Sequence, residues 1–152
     1  MNIRIGLVGY GTGGRYFHAP YIEASPHCEL VGVVARSQAS KAKVEEDFPG
    51  LRTVDSLEAL VNLGVDAVVV STPPETRREL VLEAIDAGMA VVADKPFAPN
   101  SQAAQELVDA AEKAGVLLNV FHNRRYDTDI VTAMKISHSL GQIGRASCRE
   151  RV

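Results

Sequence analysis

The sequence predicts an α/β fold built on a doubly wound parallel sheet. Short runs of apolar, β-branched residues recur along the chain, and most of them are followed by a stretch with helical periodicity. Strands that alternate with helices of about 10–15 residues indicate βαβ units with parallel strands. Right-handed crossovers then leave the doubly wound sheet as the leading topology. A glycine-rich turn directly after the first apolar run supports the same architecture.

The apolar runs predict six strands, at residues 3–8, 30–35, 52–54, 67–71, 89–93 and 117–121. The first helical stretch ends near Ala24 and contains Pro20, which lacks a backbone donor, so it predicts a kinked or two-piece helix. Asp55 to Glu58 has the pattern of a capped helix start. Further helices are predicted at residues 39–47, 76–87, 101–114 and 128–140, with Gly88 and Gly115 ending two of them.

Length and composition predict one globular domain over residues 1–142. The chain has 152 residues, of which 46% are hydrophobic and 23% charged. It shows no apolar run near the ~20 residues of a membrane helix and no secretory segment after Met1, so we expect a cytoplasmic protein with no membrane partner. A net charge of −3 gives no reason to expect nucleic acid. Cys28 and Cys148 lie far apart without a CxxC partner, so no metal site is predicted.

The last ten residues, 143–152, differ from everything before them. They lack strand or helix periodicity and include three arginines. They are similar to the translation of a sequencing-library adapter read into a coding frame, and we interpret them as a non-native tail. The alternative is a basic surface tail that binds an anionic partner.

A glycine-rich turn carries the first functional prediction. It has the GxGxxG pattern after a strand and before a helix, the context that a dinucleotide-binding turn requires. The first glycine permits the tight turn, the second lets the backbone approach a pyrophosphate, and the third allows close packing of helix on strand. The alternative is a turn that only packs. The predicted cofactor-binding residues of this turn are Gly9, Tyr10, Gly11, Thr12, Gly13 and Gly14.

The end of the second strand indicates which dinucleotide is bound. NAD-binding domains usually place Asp or Glu there to hold the ribose 2′-hydroxyl, whereas this chain has Arg36. A guanidinium suits a 2′-phosphate, with Ser37 and Lys41 as further donors. The residues therefore favour NADP, leave NAD possible, and leave open that Arg36 is a solvated loop residue.

Three further motifs, together with the glycine turn, resemble the glucose–fructose oxidoreductase/inositol dehydrogenase (Gfo/Idh/MocA) family. They are Ser71-Thr-Pro-Pro74, Asp94-Lys-Pro96 and Phe121-His-Asn-Arg-Arg-Tyr126. The resemblance spans residues 1 to about 142 and is strongest to the subgroup that contains NADP-dependent scyllo-inositol dehydrogenases. It implies an NAD(P)-binding Rossmann domain followed by a second α/β substrate domain.

The resemblance also assigns roles to residues of these motifs. Ser71, Thr72 and Pro73 would border the cofactor, and Asp94, Lys95 and Pro96 would stand for the family's Glu-Lys-Pro. The shorter Asp94 puts its own cofactor contact in doubt. Lys95 would be the catalytic residue, stabilising developing alkoxide charge on the substrate, and Pro96 would shape the turn, for which a cis bond is one solution.

The motif after the sixth strand supplies the candidate substrate residues. The resemblance implies that His122, Asn123, Arg124 and Arg125 line a cleft between cofactor and substrate. The alternative is a solvated loop in which an arginine pairs with Asp127 or Asp129. His18 is another family-like position that either packs or contacts cofactor.

The function implied is hydride transfer between NADP(H) and a secondary hydroxyl of a sugar or cyclitol, in a homo-oligomeric full-length enzyme. Relatives place an Asp and a His of the second domain at the reacting carbon, so we expect this chain alone to be inactive. Two alternatives stay open: a non-catalytic dinucleotide-binding or sensor module, and a methyltransferase or flavoprotein on a related sheet.

Overall fold

The predicted sheet is present in the computed structural model, which describes residues 2–140. Its six strands are all parallel: β1 (Ile3–Val8), β2 (Cys28–Val34), β3 (Arg52–Val54), β4 (Ala67–Val70), β5 (Ala90–Ala93) and β6 (Leu118–Val120). Their order across the sheet is β3-β2-β1-β4-β5-β6. This is the doubly wound arrangement, so the predicted fold class is confirmed. The predicted tail, residues 143–152, and the predicted domain end at residue 142 lie outside the described residues.

The helices also follow the predicted pattern. They are α1 (Ala19–Ala24), α2 (Gln38–Asp47), α3 (Leu57–Val61), α4 (Pro74–Asp86), α5 (Ser101–Ala114) and α6 (Thr128–Leu140). α4 begins before its predicted start at residue 76 because proline fits the first turn of a helix, where no backbone donor is needed. Ser56 caps α3 by accepting the Ala59 N–H, as the predicted helix start requires.

The helix after the glycine turn is in two pieces, as Pro20 predicts. Gly14–His18 forms a π-helical turn, in which the Ala19 N–H donates to the Gly14 carbonyl five residues back. α1 follows directly, with Pro20 in its first turn. A π-helical turn inserts one residue into the helical repeat and so redirects the side chains within it. His18 is the last residue of this turn, and it is buried.

Two apolar clusters cover the two faces of the sheet. Neighbouring strand residues alternate between them, as Leu7 and Val8 show, because successive side chains of a strand point to opposite faces. One cluster packs α1 and α2 on the sheet through Ile22 and Val44. The other packs α3, α4 and α5 on it through residues such as Leu60, Val81 and Leu107. Both faces of the sheet are thus buried, and the carboxyl ends of the strands form the edge that carries the motifs.

The chain divides into two compact units, one ending at Phe121 and one beginning at His122. The first contains the sheet and α1 to α5. The second contains a 3-10 helix, Asn123–Tyr126, and α6. No helix within residues 2–140 combines the length and apolar character that a membrane crossing demands.

Candidate functional site

The fold brings three of the sequence motifs to one edge of the sheet. The glycine turn follows β1, the Ser-Thr-Pro turn follows β4, and the Asp-Lys-Pro turn follows β5, three strands that are neighbours in the sheet. The ladder continues into these turns, with Ser71 N donating to Val8 O at 2.9 Å and Asp94 N to Val70 O at 3.1 Å. β1 and β4 flank the point where the strand order reverses, which is where doubly wound sheets bind ligands.

The glycine turn combines close packing with one open position. Gly9 has a φ of 98°, which only glycine adopts readily, and a Cβ there would lie 2.6 Å from the Ser71 carbonyl oxygen. A Cβ on Gly14 would overlap the Gly9 carbonyl oxygen. A Cβ on Gly11, by contrast, would meet no atom of the described residues within 4 Å. Gly9 and Gly14 are therefore required by close packing. Gly11 instead leaves the backbone at the start of the helix accessible to a ligand.

A groove of about 480 Å³ runs beside this turn, between the ends of β1, β2 and β4. The Thr72 hydroxyl oxygen is buried there and has no hydrogen-bond partner among residues 2–140. A buried polar atom without a partner is costly, so its presence at a groove wall suggests that a ligand supplies the partner. The lining residues are Val8, Gly9, Tyr10, Val34, Ala35, Arg36, Ser37, Ser40, Thr72, Pro73, Thr76, Glu79, Leu80 and Glu83.

Two of the three predicted ribose-side residues line the groove. Arg36 is exposed there and donates from Nε to the Asp55 carbonyl at 3.3 Å. Ser37 also lines it, but its hydroxyl caps α2 by accepting the Ser40 N–H at 3.1 Å. Lys41 is instead paired with the Asp55 carboxylate at 2.8 Å. Of these three residues, Arg36 is therefore the one that places a positive charge at the groove wall.

Tyr10 is fixed by a cluster that sequence reasoning missed. Its side chain is buried, and its hydroxyl donates to Asp47 at 2.9 Å. Asp47 also accepts two hydrogen bonds from Arg15, at 2.6 and 2.7 Å. Burial and the bond to Asp47 raise the pKa of Tyr10, so the phenol remains a neutral donor. Because Asp47 ends α2, this cluster ties that helix to the glycine turn.

The predicted cofactor residues Ser71 and Asp94 form a buried polar cluster with His18. The Ser71 hydroxyl donates to Asp94 Oδ2 at 2.6 Å, and His18 Nε2 lies 2.9 Å from Asp94 Oδ1. The His18 side chain is 5% exposed and that of Asp94 15%. Gly13 packs on this cluster, since a Cβ there would lie 2.9 Å from Asp94 Oδ2. His18 therefore packs within the domain, and its contact with a cofactor stays a prediction.

The carboxyl group of Asp94 is held in its charged form. Burial by itself disfavours the charge, but hydrogen bonds from His18 and Ser71, with the positive charge of Arg77, outweigh burial. The pKa of Asp94 therefore lies below its ordinary value.

Arg77 is a further residue that the sequence prediction missed. It is 4% exposed and donates to the carbonyl oxygens of Thr72 and Pro96. It follows the helical spacing of the buried residues Val81, Ala84 and Ile85, and an arginine within an apolar stripe is the signal that identifies it. Lys95, between Asp94 and Pro96, is exposed, and the Lys95–Pro96 peptide bond is cis.

The candidate substrate residues lie in the second unit. Asn123, Arg124 and Arg125 belong to its 3-10 helix, and His122 directly precedes it. Arg124 is exposed and pairs with Asp127 at 3.3 Å. This is the ion pair of the solvated-loop alternative, and the substrate role of the four residues stays a prediction.

Comparison with known proteins identifies the family. A sequence model of the Gfo/Idh/MocA type, described as an oxidoreductase family with the NAD-binding Rossmann fold, matches residues 3–122. The chain belongs to this oxidoreductase family. The Gfo/Idh/MocA resemblance predicted from the four motifs is thereby confirmed, as is the NAD-binding Rossmann domain.

Individual Gfo/Idh/MocA relatives match the chain over less than half of their own length. It is 41% identical to the uncharacterised oxidoreductase YdgJ of Escherichia coli over 132 residues, 86% of this chain and 37% of that protein. It is 33% identical to the NADP(+) scyllo-inositol 2-dehydrogenase IolW of Bacillus subtilis over 135 residues, 88% of this chain and 37% of that protein.

Solved structures agree with the fold assignment. The crystal structure of GenD2 from gentamicin A biosynthesis, in complex with NAD, superposes with a TM-score of 0.81 and 32% identity, covering 89% of this chain and 38% of GenD2. An NAD-binding protein from Listeria innocua superposes with a TM-score of 0.85 and 28% identity, covering 92% of this chain and 41% of that protein.

Proposed function

We propose that this chain is the dinucleotide-binding domain of a longer oxidoreductase, here called the full-length protein. That protein would transfer a hydride between NADP(H) and a secondary hydroxyl of a sugar or cyclitol. The relative IolW, named as an NADP(+) scyllo-inositol 2-dehydrogenase, supports both the cofactor and the substrate class. The NAD complex of GenD2 supports dinucleotide binding and keeps NAD as the second possibility.

The open position at Gly11 carries the proposal. Backbone N–H groups at the start of a helix bind a diphosphate well, because they are unpaired and carry positive partial charge. A side chain at residue 11 would fill the space next to them, and the structure leaves that space empty of described atoms. The adjoining groove, with its orphaned Thr72 hydroxyl, suits the adenosine half of the same ligand. The residues present therefore fit a dinucleotide.

Arg36 would select the phosphorylated ribose. Its guanidinium stands at the groove wall beyond β2, where NAD-specific domains place a carboxylate. A planar guanidinium forms paired, charge-assisted hydrogen bonds with a phosphate.

Lys95 would act on the substrate. When bound, the nicotinamide supplies the hydride acceptor or donor. The Lys95 ammonium would donate to the substrate oxygen and stabilise the negative charge that develops on it as its proton is removed or, in the reverse direction, as hydride reaches the carbonyl carbon. Lysine alone does not also position the substrate and exchange its proton, so the proton acceptor would come from the second domain of the full-length protein.

Titration of the full-length protein with NADPH and NADH, followed by nicotinamide fluorescence, tests the proposal. Arg36→Ala should weaken NADPH binding by at least about tenfold, the loss of one charge-assisted pair, and change NADH binding little. Arg52→Ala is the matched control, because Arg52 is an exposed arginine that begins β3, in register with Gly32 of β2, and is not among the residues that line the groove. Equal losses for both dinucleotides would contradict the NADP assignment, and no binding of either would contradict dinucleotide binding.

Replacing Lys95 by Ala separates an enzyme from a sensor module. The enzyme should lose turnover while retaining dinucleotide binding, because Lys95 serves the substrate. A sensor that needs no Lys95 should keep its output in the same variant.

A further inference from the structure

The residues on both sides of Lys95 are each held by a hydrogen bond from a buried side chain. Before it, Asp94 is bound by His18 at 2.9 Å and by Ser71 at 2.6 Å. After it, the Pro96 carbonyl accepts a hydrogen bond from the buried Arg77. We propose that Asp94 and Arg77 are positioning residues that fix the backbone of Lys95 against the glycine turn. This inference rests on the proposed function, in which Lys95 meets the substrate.

The contacts of Asp94 argue against a direct role in holding the cofactor. Each of its two carboxylate oxygens already has a partner within the domain, one in His18 and one in Ser71. Gly13 lies so close to this pair that a Cβ at residue 13 would be 2.9 Å from Oδ2 of Asp94. A free carboxylate oxygen aimed at a diphosphate would also repel it. The cluster is therefore suited to supporting the turn from within.

His18 extends this support to the start of the helix. It ends the π-helical turn, and its ring packs on Phe121 with 4.3 Å between the ring centroids. The helical segment that contains the π-helical turn begins directly after Gly11, and the Arg15 N–H donates to the Gly11 carbonyl at 2.9 Å. Through His18, Asp94 thus connects the turn that carries Lys95 to the segment proposed to hold the diphosphate.

Arg77 makes the second connection. Its guanidinium bridges the carbonyl oxygens of Thr72 and Pro96, which lie in the turns after β4 and β5. Burial lowers the pKa of Arg77, while the charge of Asp94 opposes that shift. Its Nε has no hydrogen-bond partner within the described part of the chain. A buried cation with an unpaired donor lowers the stability of the fold. Its two hydrogen bonds, in return, fix the spacing between the two turns.

Neither contact touches the Lys95 side chain, which is exposed and has no ion pair within residues 2–140. Their effect on Lys95 is therefore confined to where its backbone lies. Displacement of a catalytic group by about 1 Å lowers turnover by up to about a hundredfold, without removing a binding contact. A fall in kcat with unchanged dinucleotide affinity is the expected signature of a positioning role.

Steady-state kinetics and NADPH titration of Asp94→Asn and Arg77→Met in the full-length protein test the inference. Both variants should lower kcat by about ten- to a hundredfold and leave the Kd for NADPH within about threefold. Arg77→Lys should recover part of the lost kcat, because an ammonium still donates to one of the two carbonyls. Ser71→Ala removes a single hydrogen bond to Asp94 and should cause a smaller loss in kcat. It keeps the test decisive if Asp94→Asn does not fold.

Asp66→Asn is the matched control. Asp66 precedes β4 at the opposite edge of the sheet and accepts the Arg4 backbone N–H at 2.8 Å, so its loss should leave kcat unchanged. A rise of about tenfold or more in the NADPH Kd with unchanged kcat would make Asp94 a cofactor ligand and overturn the inference. Wild-type values of both constants in the Asp94, Arg77 and Ser71 variants would overturn it as well. An unaltered protein that neither binds a dinucleotide nor turns over would instead overturn the proposed function, and this inference with it.

Discussion

At the residue scale, glycines of one motif do different physical work. Gly9, Gly13 and Gly14 are crowded by the Ser71 carbonyl, by the Ser71–Asp94 pair and by the Gly9 carbonyl, respectively. Gly11 faces open space. The same residue type thus serves packing at three positions and ligand access at one. Substitution by alanine separates the two uses.

We expect Gly14→Ala to destabilise the chain and Gly11→Ala to leave its stability nearly unchanged. A methyl at residue 14 must displace backbone, at a cost of about 1–3 kcal/mol, whereas a methyl at residue 11 meets no described atom. Gly11→Ala should instead weaken NADPH binding by the full-length protein, since the methyl occupies the proposed diphosphate site. Urea unfolding and NADPH titration measure the two effects. Equal stability losses would show that Gly11 is also a packing glycine.

The lowered pKa of Asp94 predicts how the stability of this chain depends on pH. Hydrogen bonds from His18 and Ser71 favour the carboxylate in the folded state, so Asp94 binds its proton less tightly there than in the unfolded chain. Its contribution is complete above the unfolded pKa, about 4, and is lost as pH falls below that value. The stability difference between the wild type and Asp94→Asn should shrink from pH 6 to pH 3. Urea unfolding at a series of pH values measures it, and a difference independent of pH would disprove the assignment.

At the element scale, local sequence signals define the helix ends. Asn100 caps α5 by accepting the Ala103 N–H at 2.8 Å, and Gly115 ends the helix with a φ of 67°. These two residues bracket a helix whose predicted bounds, 101–114, are those observed. α1 is the opposite case, because the preceding π-helical turn follows from tertiary packing of His18 as well as from Pro20.

Asn100→Ala should reduce the free energy of unfolding by about 0.5–2 kcal/mol, the usual value of a lost helix N-cap. Gln102→Ala is the control, because Gln102 is an exposed residue of the same first turn and alanine is the better helix former. Thermal or urea unfolding of the two variants measures the difference. If Gln102→Ala lowered the free energy of unfolding as much as Asn100→Ala, the lost helix cap would not explain the effect of Asn100→Ala.

At the scale of the whole molecule, the described residues hold one half of the proposed chemistry. The chain spans about two fifths of the length of the curated relatives that it matches. It supplies the proposed dinucleotide groove and Lys95, while proton exchange is assigned to a second domain. We therefore expect this chain to retain some dinucleotide binding, and only the full-length protein to show turnover.

The chain of 152 residues by itself should show no dehydrogenase turnover with NADP(+) and polyol substrates. It should bind NADPH more weakly than the full-length protein, because the proposed second domain would add further contacts to the cofactor. Absorbance at the reduced nicotinamide band and fluorescence titration measure the two properties. Measurable turnover by this chain would contradict the proposal that a second domain supplies the proton acceptor.

The amino-acid sequence was sufficient to predict the sheet, the approximate positions of its strands and the place of the glycine turn. These features depend on local periodicity, helix caps and the short-range geometry of glycine and proline, which neighbouring residues specify. The contacts of Asp94 with His18 and Ser71, and of Arg77 with Thr72 and Pro96, became visible in the folded chain alone. His18 and Asp94 are 76 residues apart in the chain, and their contact exists because parallel strands bring distant carboxyl ends to one edge. No local pattern encodes such a contact.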